Sequence, residues 1–169
     1  MNSQKHHKTE FSKLIQKNQA IIHKVTLIYA NSVVEREDLF QEICLQLWRS
    51  YSNFRKESQF STWMYRVALN TAISTIRKNT KSPDFEPLKE SVLPAAETSE
   101  DADNVAMLYA AISKLNGIDK ALILLWLEEK SYDEIASVLG ITKTNVSVKL
   151  VRIKRKLEEM IIQAVKQES

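Results

Sequence analysis

Glycine is almost missing. The chain holds 2 glycines in 169 residues, about 1%, against about 7% in an average protein. Hairpins and sheet corners draw on glycine for their positive φ angles, so this scarcity argues against a barrel or any all-β fold. Proline is also rare, at 3 residues. Cys44 is the single cysteine, which excludes an internal disulfide and a cysteine-based zinc site. Apolar runs are short. One of them, Ala121 to Leu127, has seven residues, and crossing a bilayer takes ~20. Met1 to Lys8 is polar and basic with no apolar stretch behind it, so no signal peptide is read and the cytoplasm is the expected compartment. Catalytic patterns are missing too. There is no glycine-rich phosphate loop and no His-Glu-x-x-His pair, and His6, His7 and His23 match no ligand spacing. No cofactor, no metal and no enzymatic activity are expected.

What remains is 44% hydrophobic and 27% charged, the composition of a soluble chain that forms a core. Leu, Ile, Lys, Glu and Ala dominate, so an all-α fold is expected. The net charge of +3 is unevenly spread: +6 over residues 1–80, −5 over 81–104 and +2 over 105–169. Pro83, Pro87 and Pro94 all fall in the acidic middle. Two small helical domains joined by a flexible acidic linker, 81–104, are therefore expected, flanked by a disordered tail at 1–9 and a second tail at 165–169.

Residues 10–80 read as three helices. Phe11, Leu14, Ile15, Ile21, Ile22, Val25 and Ile28 keep helical spacing up to Asn31. Glu35 to Tyr51 follows, with Leu39, Phe40, Ile43, Leu47 and Trp48 toward the core and Asp38, Gln41, Glu42 and Arg49 outward. A polar loop spans Ser52 to Gln59, and Ser61 is positioned to cap a third helix through Trp63, Val67 and Ile76. Six of the 13 aromatic residues lie between 48 and 65, interleaved with Arg49, Arg55, Lys56 and Arg66. Flat rings beside cations suit the unstacked bases of single-stranded DNA. The same rings also suit a core, and for Trp48 and Trp63 the core reading competes directly.

Residues 105–164 carry a sharper pattern. Ser131-Tyr-Asp-Glu134 spells a capping box. Gly140 follows where a left-handed C-cap would sit. Thr142 can then cap a last helix whose apolar residues are Val146, Leu150, Ile153, Leu157 and Ile161. Short helix, glycine turn and capped helix make a helix-turn-helix. From Lys143 to Lys156 the last helix holds six basic residues and no acid. Thr144, Asn145 and Ser147 stand in its first turns, where a recognition helix meets base edges.

Three stretches together resemble the extracytoplasmic-function (ECF) group of sigma-70 RNA polymerase sigma factors. They are Glu37-Asp-Leu-Phe-Gln-Glu-Ile-Cys-Leu-Gln-Leu-Trp48, Phe60-Ser-Thr-Trp-Met-Tyr-Arg-Val-Ala-Leu-Asn70 and Ser131-Tyr-Asp-Glu-Ile-Ala-Ser-Val-Leu-Gly-Ile-Thr142. The resemblance covers about 10–80 and 105–162. Leu115-Asn116-Gly117 stands where the family commonly has Leu-Pro. The resemblance implies a region 2 helical bundle at 10–80 and a region 4 helix-turn-helix at 105–164. Asp38, Gln41, Glu42, Leu45 and Trp48 would grip the β′ clamp coiled coil of core RNA polymerase. Asn53, Phe54, Arg55, Lys56, Phe60, Ser61, Thr62, Trp63, Arg66 and Asn70 would hold the melted strand of the −10 element. Lys143, Thr144, Asn145, Ser147, Lys149, Arg152, Lys154 and Arg155 would bind the −35 element. An apolar surface around Leu122 to Leu127 would meet the β flap. The implied partners are core polymerase, promoter DNA and an anti-sigma factor, with no small-molecule substrate. The alternative is a stand-alone helix-turn-helix regulator whose N-terminal helices sense a signal or dimerise.

Overall fold

The computed structural model describes residues 2–80 and 100–168. Among them are seven helices and no strand. They divide into two compact units, with the dividing line at Phe85 and Glu86. Most of the expected linker, 81–99, lies outside the described residues.

The first unit is a three-helix bundle of α1 (Asn2–Tyr29), α2 (Val33–Tyr51) and α3 (Phe60–Thr80). Each helix packs against the other two. Ile22, Val25 and Ile28 of α1 meet Leu39, Ile43, Leu47 and Tyr51 of α2, and Met64, Tyr65, Leu69 and Ala72 of α3, all buried. In α2 the buried residues recur every four positions, which lines them on one side of a 3.6-residue helix. In α3, Ala68 and Ala72 are fully buried, and their small side chains let the backbones approach. Ser32 caps α2: its hydroxyl accepts from the Glu35 amide at 3.1 Å, and the Glu35 carboxylate accepts from the Asn31 amide at 2.8 Å.

Several boundaries differ from the sequence reading. Residues 2–9 are helical and continue α1, in place of a disordered tail. His7 and Phe11, four apart on one face, lie against Trp48 and Tyr51 of α2, so aromatic contact carries the helix toward the N-terminus. α3 begins at Phe60, so Ser61 sits inside the first turn instead of capping it. At the other end α7 runs to Glu168, because nothing from Gln163 onward breaks a helix and Lys166 complements its negative end.

The second unit packs α4 (Glu100–Ser113), α5 (Gly117–Leu127), α6 (Tyr132–Leu139) and α7 (Lys143–Glu168). Glu100, Asp101 and Asp103 fill the first turn of α4. Acidic side chains favour the positive end of a helix, and this is why residues 100–104, expected in the linker, fold instead. Asn116 caps α5, its side-chain oxygen accepting from the Asp119 amide at 2.9 Å. That cap stands where the Leu-Pro pattern would start the helix. α5 touches α4, α6 and α7. It is buried continuously from Lys120 to Leu125, as expected of a helix that is apolar on every side. Leu122, Ile123, Leu124 and Leu125 are at most 2% exposed. They are the centre of this unit, so of the expected flap surface only Trp126 and Leu127 are part-exposed.

The capping box of α6 is complete. The Ser131 hydroxyl accepts from the Glu134 amide at 3.2 Å, and the Glu134 carboxylate accepts from the Ser131 amide at 2.8 Å. Gly140 closes α6 at φ +66 with open space where a Cβ would project. Gly140→Ala should therefore destabilise the chain by about 1–2 kcal/mol through backbone strain alone, without a clash. Urea unfolding would measure it. The Ser131 backbone N–H, aided by its hydroxyl and by Lys130, holds the Glu134 carboxyl below its usual range. Because the folded form binds a proton less readily, the stabilisation is complete above about pH 4.5 and is lost as pH falls through the lowered folded value. Glu134→Gln keeps the reach-back hydrogen bond without the charge. Wild type should lose urea resistance relative to this variant between about pH 5 and pH 3.

Candidate nucleic-acid and protein interfaces

The first surface is on α7. Gly140 and Ile141 both donate to the Ala136 carbonyl, which turns the chain sharply at the end of α6. Thr142 then accepts from the Asn145 amide at 3.1 Å and starts α7. Ile135 and Val138 of α6, with Val146, Leu150, Ile153 and Leu157 of α7, are buried. That stripe fixes the rotation of α7. Lys143, Thr144, Asn145, Ser147, Arg152, Lys154 and Arg155 are exposed, and Lys149 is half-buried. Ile161 is half-buried at the edge of the core.

The six cations are not equivalent. Lys143 lies 3.2 Å from Asp133, tying the start of α7 to α6 by an exposed ion pair, an interaction worth ~0.2–1 kcal/mol. Lys154 lies 3.9 Å above the Trp126 ring, a cation–π contact that draws it along α5. Arg152, Arg155 and Lys156 are exposed and have no partner among the described residues. The cations available to an anionic ligand are therefore chiefly Lys149, Arg152, Arg155 and Lys156.

The second surface lies where the loop after α2 enters α3. Phe54 packs edge-on to Phe60, ring centres 5.6 Å apart, and both lie within 5.3 Å of Trp63. Tyr51, 6.4 Å from Trp63, joins this group to Phe11, His7 and Trp48. Phe54, Phe60 and Trp63 are each half-buried, so one edge is packed and another faces solvent. Asn53, Arg55 and Lys56 are exposed beside them. Lys56 has φ +58, a left-handed conformation that costs a non-glycine residue ~1–2 kcal/mol. Ser61 and Arg66 are half-buried. Asn70 is exposed and lines a polar groove of about 410 Å³ between α2 and α3. Thr62 departs from the sequence reading. It is 6% exposed because it follows the first turn of α3 inward, so it offers no surface to a strand.

The third surface is the outer side of α2. At 100° per residue, Val34, Asp38, Gln41, Leu45 and Trp48 fall on one line facing away from the buried residues. Val34 is 68% exposed, Leu45 41% and Trp48 42%. Trp48, assigned to the core by its spacing, is thus covered only in part, by His7 and Phe11. Glu42 points elsewhere. It is half-buried, accepts from the Gln46 amide group at 2.8 Å and lines the groove toward α3. The sequence reading missed Val34, although its spacing of four from Asp38 was visible. Cys44 sits off this line as a half-buried free thiol, and burial pushes its pKa up. No helix among the described residues is long and apolar enough to cross a membrane. Nor do they contain a cluster of three or more His, Cys, Asp or Glu side chains able to hold a metal ion.

Two models of one family match the chain in order: Sigma-70 region 2 over residues 14–82 and Sigma-70 region 4 over 106–157. The chain belongs to the sigma-70 family, in its ECF group. Region 2 thus corresponds to the α1–α3 bundle, and region 4 to the unit that ends in the helix-turn-helix. RNA polymerase sigma-H factor of Pseudomonas aeruginosa is 27% identical over 168 residues, spanning 91% of this chain and 87% of that protein. The ECF sigma factor SigW of Bacillus subtilis is 27% identical over 158 residues, spanning 83% and 82%. In fold, the chain is similar to the sigma factor RpoE of Bartonella quintana, solved with the anti-sigma factor NepR. The TM-score is 0.69 at 20% identity, covering 93% of this chain and 97% of that one. It is also similar to CnrH, solved with the cytosolic domain of CnrY, with a TM-score of 0.66 at 17% identity and coverage of 92% and 90%. Sigma-70 proteins are initiation factors and not enzymes, and the chain is one of them.

Proposed function

We propose that this ECF sigma factor binds core RNA polymerase and directs it to promoters, using the three surfaces above for three tasks. The observation that carries the function is the pair of region matches, in order, on two separate compact units. The stand-alone regulator is not favoured, because the N-terminal helices it would use for sensing or dimerisation are the region 2 match itself. The reading locates the protein in the cytoplasm, where polymerase and promoter are found.

The stripe Val34, Asp38, Gln41, Leu45 and Trp48 grips core polymerase. Exposed apolar residues around acidic and polar ones supply both desolvation and charge pairing to a basic partner helix. The edges of Phe54, Phe60 and Trp63, with Arg55 and Lys56 nearby, receive unpaired bases of the −10 strand. Each stacked base contributes ~1–3 kcal/mol, enough to offset the few kcal/mol of unstacking it. On α7, Lys149, Arg152 and Arg155 engage the −35 duplex while Thr144, Asn145 and Ser147 approach its base edges. Region 4 carries a small net charge, +2 over 105–169, so its own affinity for DNA is modest and steeply salt-dependent. Bound to polymerase, the two units act on one promoter through effective concentration. The similar RpoE structure was solved with the anti-sigma factor NepR, and we assign this chain an anti-sigma partner of the same kind.

The orientation of α2 separates two neighbouring acids. Asp38→Lys should weaken binding to core polymerase more than tenfold, whereas Glu42→Lys, turned toward α3, should weaken it less than threefold. Competition against a housekeeping sigma factor for purified core would read both values. Equal losses would remove the stripe as the binding face. Arg152→Ala should leave core binding unchanged and cut run-off transcription from a −35-dependent promoter at least fivefold. Full transcription from this variant would remove Arg152 from the interface.

A further inference from the structure

Val148 is 44% exposed and Val151 60% exposed. Both lie on α7 within the basic run, on the line Thr144, Val148, Val151 and Arg155, opposite the buried stripe. The fold gives no reason for valine here. Neither residue belongs to the core, and valine is a poorer helix former than the Lys, Glu or Ala that an outer helix face usually carries. We propose that Val148 and Val151 read thymine, their methyl groups resting on the C5-methyls of thymines in the major groove of the −35 duplex. This rests on α7 being the recognition helix.

Three observations favour DNA as the occupant of this apolar strip. It runs between Thr144 and Arg155, with Ser147 on one flank and Arg152 on the other, and no acid lies from Lys143 to Lys156. Those cations complement the phosphates that border a groove. The strip is two side chains wide, and a thymine methyl is the one apolar group that a base pair shows in the major groove. Valine in a helix holds a single χ1 rotamer in about 90% of cases, so its methyls lose almost no freedom on docking. The two valines are three residues apart, about 4.5 Å along the axis, close to the ~3.4 Å step between bases. They would address neighbouring base pairs. Ile162 and Val165 are also exposed on α7, but they lie beyond the basic run and are given no such part.

The test uses holoenzyme assembled from core polymerase and the full chain. The −35 element it prefers is first selected from randomised duplexes. Each thymine of that element is then replaced singly by deoxyuridine, which removes only the C5-methyl. At one or two positions the replacement should weaken holoenzyme binding about three- to fivefold. Val148→Ala or Val151→Ala should abolish the sensitivity at one of those positions, and alanine favours the helix, so both variants fold. A selected element without thymine overturns the proposal. So does deoxyuridine tolerated at every position, or sensitivity that survives in both variants. Arg152→Ala is the control for the underlying reading. If it still weakens duplex binding, α7 remains the recognition helix even where the thymine proposal fails.

Discussion

One buried stripe per helix decides what each helix can offer a partner. In α2 the burial of Leu39, Ile43, Leu47 and Tyr51 fixes the helix rotation, and Val34, Asp38, Gln41, Leu45 and Trp48 follow onto the opposite side. In α7 the same holds for Val146, Leu150, Ile153 and Leu157 against the line from Thr144 to Arg155. Burying each such side chain contributes ~1.5–3 kcal/mol. Rotating the helix by even one position would expose several at once. The binding faces therefore need no stabilisation of their own. They are held by core residues that never touch the ligand.

The turn between α6 and α7 extends that logic. A helix of eight residues, as α6 is, is far too short to be stable alone in water. It is closed by the Ser131–Glu134 box at one end and by Gly140 at the other, and anchored by Ile135 and Val138. Every one of these devices is local except the two anchors. α7 is thereby oriented by the fold itself, so ordering it would add no cost when a ligand binds.

Local devices are also what the sequence made legible. The capping box, the glycine turn and the Thr142 cap each lie within four residues of their partners, so spacing alone revealed them, and the helix-turn-helix with them. Properties set by packing were harder to read. The run from Leu122 to Leu125 looks like a sticky surface until α4, α6 and α7 are seen around it. Thr62 has a half-buried neighbour on each side, and nothing in its residue type signals that it turns inward. His7 is polar by composition and supports a helix here only because Trp48 and Tyr51, more than forty positions later, supply a ring surface. Glu42 and Asp38 read as one acidic patch, and only the rotation of α2 against α3 parts them. Val148 and Val151 fall outside the spacing of the core stripe, and it is the burial of their neighbours that shows them facing outward.

The charge on α7 shows how affinity and sequence reading are kept apart. Of the six cations from Lys143 to Lys156, Lys143 is paired with Asp133 and Lys154 with the Trp126 ring. Both contacts lie within region 4: the first offsets a charge, and the second holds a charge against α5 and away from a free position. A helix built for tight, indiscriminate binding would leave all six free, because each phosphate neutralised adds salt-sensitive affinity with no sequence content. Restraining two of them lowers that background while leaving the line from Thr144 to Arg155 unrestrained. A discriminating contact worth only a few-fold then matters more, because it is weighed against a smaller non-specific term. The deficit in affinity is made up elsewhere, by polymerase and by the second promoter contact in region 2. Weak binding by the isolated surface is thus a condition for selective binding by the assembly.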